Sequence, residues 1–329
     1  MSTRTQKASY AVKEGFSVDF LTRDELQAIH QASLEVFRNT GLKFFNREAL
    51  AVLQDGGCDV DFETHVVKIP EYVVNEAIAS APSHVLLAGR DPRHDRVLQG
   101  NRVAWTNFGA GIKIYDADNG ELRETTLQDV ADSARVCDAL DSVDVYSLAV
   151  VARDCPPETG DLHAAAAFLS NTTKHCHHID LSGGAGARRY IQMGAAIAGG
   201  ADALRERPII SALICPTSPL QMSNEGCEVI MEFARAGVPI NILSMGLSGG
   251  TTPVTLAGTL VVHNCEILGG IVLNQLTCKG APVIYGSSTT TFDMRCMTAP
   301  VGAPELGMIS AAVAALAQFY NLPSYTAGG

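Results

Sequence analysis

The chain has 329 residues, 47% of them hydrophobic and 18% charged, and its 24 basic against 35 acidic residues give a net charge of −11. A chain this apolar builds a sizeable core and is not a disordered one, and its acidic balance argues against nucleic acid or an anionic membrane as partner. The nine cysteines (Cys58, Cys137, Cys155, Cys176, Cys215, Cys227, Cys265, Cys278 and Cys296) form no CxxC pair and lie in apolar segments. They read as buried thiols of a cytoplasmic protein, not as a disulfide frame.

In chain order, Met1 to Lys13 is polar and lacks the apolar core of a signal sequence. Thr22-Arg23-Asp24-Glu25 is a capping box that opens an amphipathic helix through Asn39, closed by Gly41. Asn46 caps a second helix ending at Gly56-Gly57, Cys58 to Ile69 alternates like a hairpin or edge strand, and Pro70 starts a third helix. Val97 to Tyr115 and Glu121 to Arg123 read as strands joined by the turn Asp116 to Gly120.

From residue 126 helices and apolar strands alternate. Helix Leu127–Leu140 leads to strand Val145–Ala152, helix Leu162–Ser170 to strand Cys176–Leu181, and helix Ala187–Ala198 to strand Ile209–Cys215. Helix Asn224–Ala236 leads to strand Pro239–Met245, and a long helix from Val254 leads to strand Pro282–Ser287. Helix Pro304–Tyr320 leads to strand Ser324–Thr326. The stretch Val254 to Thr277 carries His263, Asn264 and Glu266, so it reads as a buried helix and not a membrane span.

Alternating strands and helices imply βαβ units and a parallel sheet with both faces covered. With a first strand near Val103 to Asn107 the count reaches seven, one short of a closed barrel. The expected fold is an α/β (β/α)8 TIM-type barrel (residues 101–329) lacking its last strand-helix unit, with an N-terminal helical, α+β extension (residues 1–100). The alternative is an open doubly wound sheet, but no strand-helix junction carries a GxGxxG or Walker sequence. Leu181 to Gly186 is the nearest approach, and it reads more simply as a glycine-rich turn.

Barrel enzymes carry their chemistry at the C-terminal strand ends. Those ends offer Asn107, Phe108, Asp180, Tyr285 and Tyr325 as candidate substrate contacts, and aromatic faces suit a methylated ammonium. Glu305, at the start of a helix, is either a capping carboxylate or an acid–base group facing the barrel mouth. His175-Cys176-His177-His178 places His175 and His177 on one strand face, where they read as zinc ligands or, more simply, as satisfied imidazoles. No third ligand is evident, so no metal site is assigned.

The segments LEVFRNTGLKF (34–44), WTNFGAG (105–111) and GAPELGMISAAVAALAQFYNLPSYTAGG (302–329) resemble the trimethylamine methyltransferase family. The resemblance implies methyl transfer from trimethylamine to a cognate corrinoid protein in methylamine-dependent methanogenesis. It also implies that the corrinoid is carried by the partner and that this chain binds no cofactor of its own. In pyrrolysine-containing members this strand runs directly into pyrrolysine, so Gly329 is expected to precede that catalytic residue, with the chain truncated there. The full-length form is expected to be a cytoplasmic homo-oligomer. Three other readings stand beside it: a homologue without pyrrolysine that demethylates a quaternary amine such as glycine betaine, an inactive truncated fragment, and a metal-dependent hydrolase built on His175 to His178.

Overall fold

The computed structural model of the protein describes residues 11–12 and 20–327. The chain divides into two compact units, one made of residues 1–13 and 86–213, the other of 14–85 and 214–329. The helices among the described residues are α1 (Arg23–Asn39), α2 (Arg47–Asp55), α3 (Glu71–Ser80), α4 (Leu127–Ala139), α5 (Gly160–Asn171), α6 (Gly183–Ala198), α7 (Ala201–Glu206), α8 (Asn224–Ala236), α9 (Leu256–Thr277) and α10 (Pro304–Phe319).

In the first unit three parallel strands, Val145–Ser147, His175–His178 and Ile210–Ile214, lie side by side in that order. Helices α4, α5 and α6 connect or cover them, and Tyr146, Phe168, His178 and Tyr190 pack ring against ring in that layer. The strand expected near Val103 to Asn107 is broken. Arg102–Val103 pairs with Ala11–Val12, and residues 106–111 run irregularly along the 145–151 segment through single parallel bridges at Thr106 and Gly111. Ala110 takes a positive φ of 60°, which breaks a regular ladder. A Cβ on Gly109 would lie 2.5 Å from Ile179 Cδ1 and 3.3 Å from Leu148 O, so a larger residue there would require the Ile179 side chain to shift. The hairpin Lys113–Tyr115 with Leu122–Glu124 forms around the expected turn.

In the second unit the parallel order is Ile240–Ser244, Val283–Ser287 and Ser324–Thr326. The long helix α9 is the core here, packed by α1, α2, α3, α8 and α10. It is long and apolar enough to cross a membrane by length and composition, yet most of its surface is covered within this unit. The capping box of α1 forms as expected, with Glu25 Oε2 accepting from Thr22 N at 2.7 Å and Thr22 Oγ1 accepting from Glu25 N at 3.3 Å. Asn46 caps α2 through Ala49 N at 2.8 Å. Residues 59–61 and 66–68 make the expected antiparallel hairpin. Pro70 sits at the N-cap position of α3, one residue before its first turn.

Alternation fixes which side chains face the helices in this unit. Ile242, Ser244, Tyr285 and Ser287 share the face that α9 covers, whereas Asn241, Leu243, Ile284, Gly286 and Tyr325 share the other, as their register shows.

Candidate active site

In the first unit the strand ends surround a cleft of about 430 Å³ lined by Leu148, Arg153, Cys155, Asp161, Asp180 and Ser182 among others. Asp161, at the start of α5, is buried. Its carboxylate accepts from Ser182 Oγ at 2.6 Å and Ser182 N at 3.0 Å, which ties the beginning of α6 to α5. The glycines expected to form a turn, Gly183 to Gly186, instead make the first turn of α6, directly after Ser182.

Asp180 is exposed and lines this cleft. Its backbone N–H donates to His178 Nδ1 at 3.1 Å, so His178 carries its proton on Nε2, which donates to Asp161 O at 3.0 Å. Phe108 is 80% exposed. Asn107 lies in the irregular segment after the single bridge at Thr106, not at the end of a regular strand as expected, and its carboxamide is taken up by backbone. Nδ2 donates to Ser147 O at 2.8 Å and Phe108 O at 2.7 Å, and Oδ1 accepts from Ser147 N at 2.9 Å. It works as a clamp that substitutes for ladder bonds where the 106–111 segment is irregular. Asn107→Ala leaves both backbone groups of Ser147 without that partner and is expected to cost roughly 2 kcal/mol in a urea unfolding series. A change below about 0.5 kcal/mol, the level of an ordinary surface substitution, contradicts the clamp.

His175 and His177 share a face, as their spacing predicts, and both bond Ser211 Oγ at 2.7 Å. His175 Nδ1 lies 3.1 Å from the carbonyls of Ala88 and Pro208, so it must donate there. That leaves His175 Nε2 to accept the Ser211 hydroxyl proton, and Ser211 Oγ to accept from His177 Nδ1. The imidazoles are therefore neutral and locked by neighbours. The described residues contain no group of three or more His, Cys, Asp or Glu side chains arranged to hold a metal.

In the second unit Tyr285 does not face a substrate at a strand tip. It is fully buried on the helix side, its hydroxyl donating to Asn264 Oδ1 at 2.7 Å. Asn264 in turn donates to Tyr320 OH and Ser33 Oγ, both at 2.9 Å, and Tyr320 OH lies 3.1 Å from His30 Nδ1. Tyr285 sits third in a five-residue strand, and period-two alternation turns it away from the face carrying Gly286. Tyr325 pairs in register with Gly286 and is half-buried on the opposite face. Glu305 is exposed in the first turn of α10, next to Pro304. Gly329 lies outside the described residues.

Two buried polar side chains in this unit were not legible as site residues in the sequence. Asn241 is fully buried, with neither amide atom hydrogen-bonded. Its Oδ1 occupies the space beside Gly286, where a Cβ would come within 2.2 Å. Glu266 is fully buried on α9. Its Oε2 accepts from Ser244 Oγ at 2.6 Å and Ser218 Oγ at 2.9 Å, and its Oε1 accepts from Leu220 N at 3.0 Å. Burial pushes its carboxyl above the ordinary glutamate range, against the pull of those donors. The only advance signal was a lone acidic residue in an apolar helix.

A family model described as trimethylamine methyltransferase (MTTB) matches residues 1–329. The chain is 55% identical over 323 residues to the trimethylamine methyltransferase MttB of Desulfitobacterium hafniense (strain DSM 10664 / DCB-2), covering 98% of this chain and 65% of that protein. It is 47% identical over 332 residues to the trimethylamine methyltransferase MttB of Methanosarcina thermophila, covering 100% of this chain and 69% of that protein. A glycine betaine methyltransferase of D. hafniense (strain Y51) is 32% identical over 313 residues, covering 94% of this chain and 64% of its own length. The chain thus spans about two thirds of these relatives. Among solved structures, the monomethylamine methyltransferase MtmB of Methanosarcina barkeri aligns with a TM-score of 0.54 at 14% identity, over 93% of this chain and 68% of that one. That likeness shows the fold alone, an α/β architecture of the TIM-barrel type.

Proposed function

The chain belongs to the trimethylamine methyltransferase family, and from that premise we propose that the complete protein moves a methyl group from trimethylamine to the cobalt of a separate corrinoid protein. The observation that carries this reading is the 55% identity to a trimethylamine methyltransferase, against 32% to a glycine betaine methyltransferase. The corrinoid is a co-substrate brought by the partner, and this chain holds no cofactor of its own.

The chemical demand on the protein is positional. An amine methyl is a poor electrophile, so rate comes from holding nitrogen and methyl in line with the acceptor and from stabilising charge as it develops. The candidate groups suited to this are Phe108 and Asp180 in one unit and Tyr325 and Glu305 in the other. An exposed carboxylate at a helix start, such as Glu305, is available to hold a proton or a cationic amine. The net charge of −11 and nine unpaired cysteines support a cytoplasmic protein with no nucleic-acid or anionic-membrane partner.

The test is methylation of a Co(I) corrinoid protein by the complete enzyme, followed by the corrinoid's absorption spectrum, with trimethylamine and glycine betaine as donors. Trimethylamine is expected to be preferred by roughly 100-fold or more, because betaine brings a carboxylate that a pocket for an uncharged methyl leaves unpaired. Preference for glycine betaine would replace this reading with the quaternary-amine one. In the same assay, unchanged turnover by Glu305→Gln would remove Glu305 from the acid–base role.

A further inference from the structure

We infer that Glu266 is a positioning residue of the strand-tip face: a buried carboxylate, outside the strands, that fixes three of the loops from which that face is built. The inference rests on the proposed methyl transfer for its functional meaning and on geometry for its content.

Helix α9 has one carboxylate in its 22 residues, and that residue is fully buried. A buried carboxylate is costly unless its lone pairs are taken up by donors. All three donors to Glu266 come from loops or strand ends. Ser218 and Leu220 lie in the loop that follows strand Ile210–Ile214, and Ser244 is the last residue of strand Ile240–Ser244. Leu220 takes a φ of 60°, in the left-handed region that a branched side chain disfavours. Such a conformation persists only when its surroundings hold it. The carbonyl on the other side of the same residue is tied as well, since Lys43 N donates to Leu220 O at 3.0 Å.

The network continues to a third loop. Ser244 Oγ lies 3.4 Å from Thr289 Oγ1, which donates to Ser244 O at 3.2 Å and accepts from Gly246 N at 3.3 Å. His263, one turn before Glu266 on α9, lies 2.9 Å from that same Thr289 oxygen through Nδ1. Because the Thr289 proton is committed to Ser244 O, His263 must donate. One turn of α9 thus grips the ends of strands Ile240–Ser244 and Val283–Ser287 and the 218–220 loop. A core that needed only apolar contact would have no use for a carboxylate here.

Glu266→Gln keeps shape and volume but offers one acceptor oxygen in place of two; with that oxygen on Ser218 and Ser244, which share Oε2, the Leu220 N–H is the donor released. In the complete enzyme we expect kcat for methyl transfer to fall by on the order of 100-fold, the effect of a displacement near 1 Å, with KM changed by less than about threefold. In hydrogen exchange the amide of Leu220 is expected to exchange at least roughly tenfold faster, while amides inside α9 keep their protection. Ser218→Ala removes one donor without touching the carboxylate, and should move kcat and Leu220 exchange the same way by a smaller factor. Unchanged Leu220 exchange in Glu266→Gln, or faster exchange spread equally through α9, overturns the inference. If Glu266→Gln does not fold, Ser218→Ala decides by the same two readouts. Should the unaltered enzyme transfer no methyl from trimethylamine, the proposed function fails and the exchange data alone judge the positioning role.

Discussion

Acidification from about pH 7 to about pH 4 is expected to strip several kcal/mol of stability from the protein, well beyond ordinary carboxylate titration. Buried histidines are the cause, three of them held far below the ordinary imidazole range. Burial holds His175 down to about 4 and His177 to about 3, where the neighbouring His175 and His178 oppose a positive charge further. His263 is likewise held to about 3 by burial. On unfolding, each returns to an ordinary imidazole near 6.5. The unfolded chain therefore binds more protons than the folded one throughout this window, so stability falls as pH falls. Loss begins as the pH drops below about 6.5 and is complete for His175 near 4 and for the other two near 3. At about 1.4 kcal/mol per pKa unit, His175 alone accounts for roughly 3 kcal/mol.

The hydrogen-bond chain explains why these groups resist protonation beyond simple burial. Adding a proton to His175 Nε2 turns it from acceptor to donor and forces the Ser211 hydroxyl to turn away. The Ser211 proton then competes with His177 Nδ1–H, which already points at the same oxygen. Glu266 acts in the opposite direction, since burial raises its carboxyl and the folded state gains protons there first. One residue is outweighed by three. Denaturant melts at pH 7, 6, 5 and 4 check the expectation. A stability that stays flat from pH 7 to pH 4.5 would sink it.

Much of the architecture follows from local chemistry that is visible in the chain. The Thr22–Glu25 box, the Asn46 cap, the 116–120 turn and the apolar strands alternating with helices all form as local rules dictate. What was not legible depends on partners far away in sequence. Asn107 looks like a strand-tip amide until Ser147, forty residues on, is seen to occupy both ends of it. Tyr285 looks like an aromatic at the barrel mouth, but it stands two residues inside a strand that ends at Ser287 as expected, and alternation turns it toward Asn264 on α9. The donors to Glu266 lie 22 to 48 residues away from it. Gly183 to Gly186 read as a turn because glycine disfavours helices, but the hold of Asp161 on Ser182 starts α6 there. In each case tertiary contact overrode a local preference.

Asp144→Ala is expected to cost roughly 3–5 kcal/mol, because it takes away the carboxylate that meets a buried guanidinium. Arg96 and Asp144 are each about 1% exposed, and Arg96 Nε meets Asp144 Oδ1 at 2.6 Å. Arg96 Nη1 donates to the carbonyls of Asp95 at 2.9 Å and Arg93 at 3.4 Å, neutral groups that do not balance its charge. The other carboxylate oxygen of Asp144 accepts from Trp105 N at 2.8 Å, and Trp105 O receives Asp144 N at 2.8 Å. Asp144 therefore does two things at once. It balances a buried charge, and it anchors the start of the irregular 105–111 segment, where the ladder bonds are too sparse to hold the backbone alone. The two roles separate experimentally. Asp144→Asn keeps an acceptor for Trp105 N but not the charge, whereas Arg96→Met with Asp144→Leu removes both charges and replaces them with apolar volume. If charge dominates, Asp144→Asn falls nearly as far as Asp144→Ala and the double variant recovers most of the loss. If the anchor dominates, Asp144→Asn stays near the unaltered protein and the double variant does not recover. The pair's burial on both sides favours the first outcome. A cost below about 1 kcal/mol for Asp144→Ala, the range of an exposed ion pair, would contradict both.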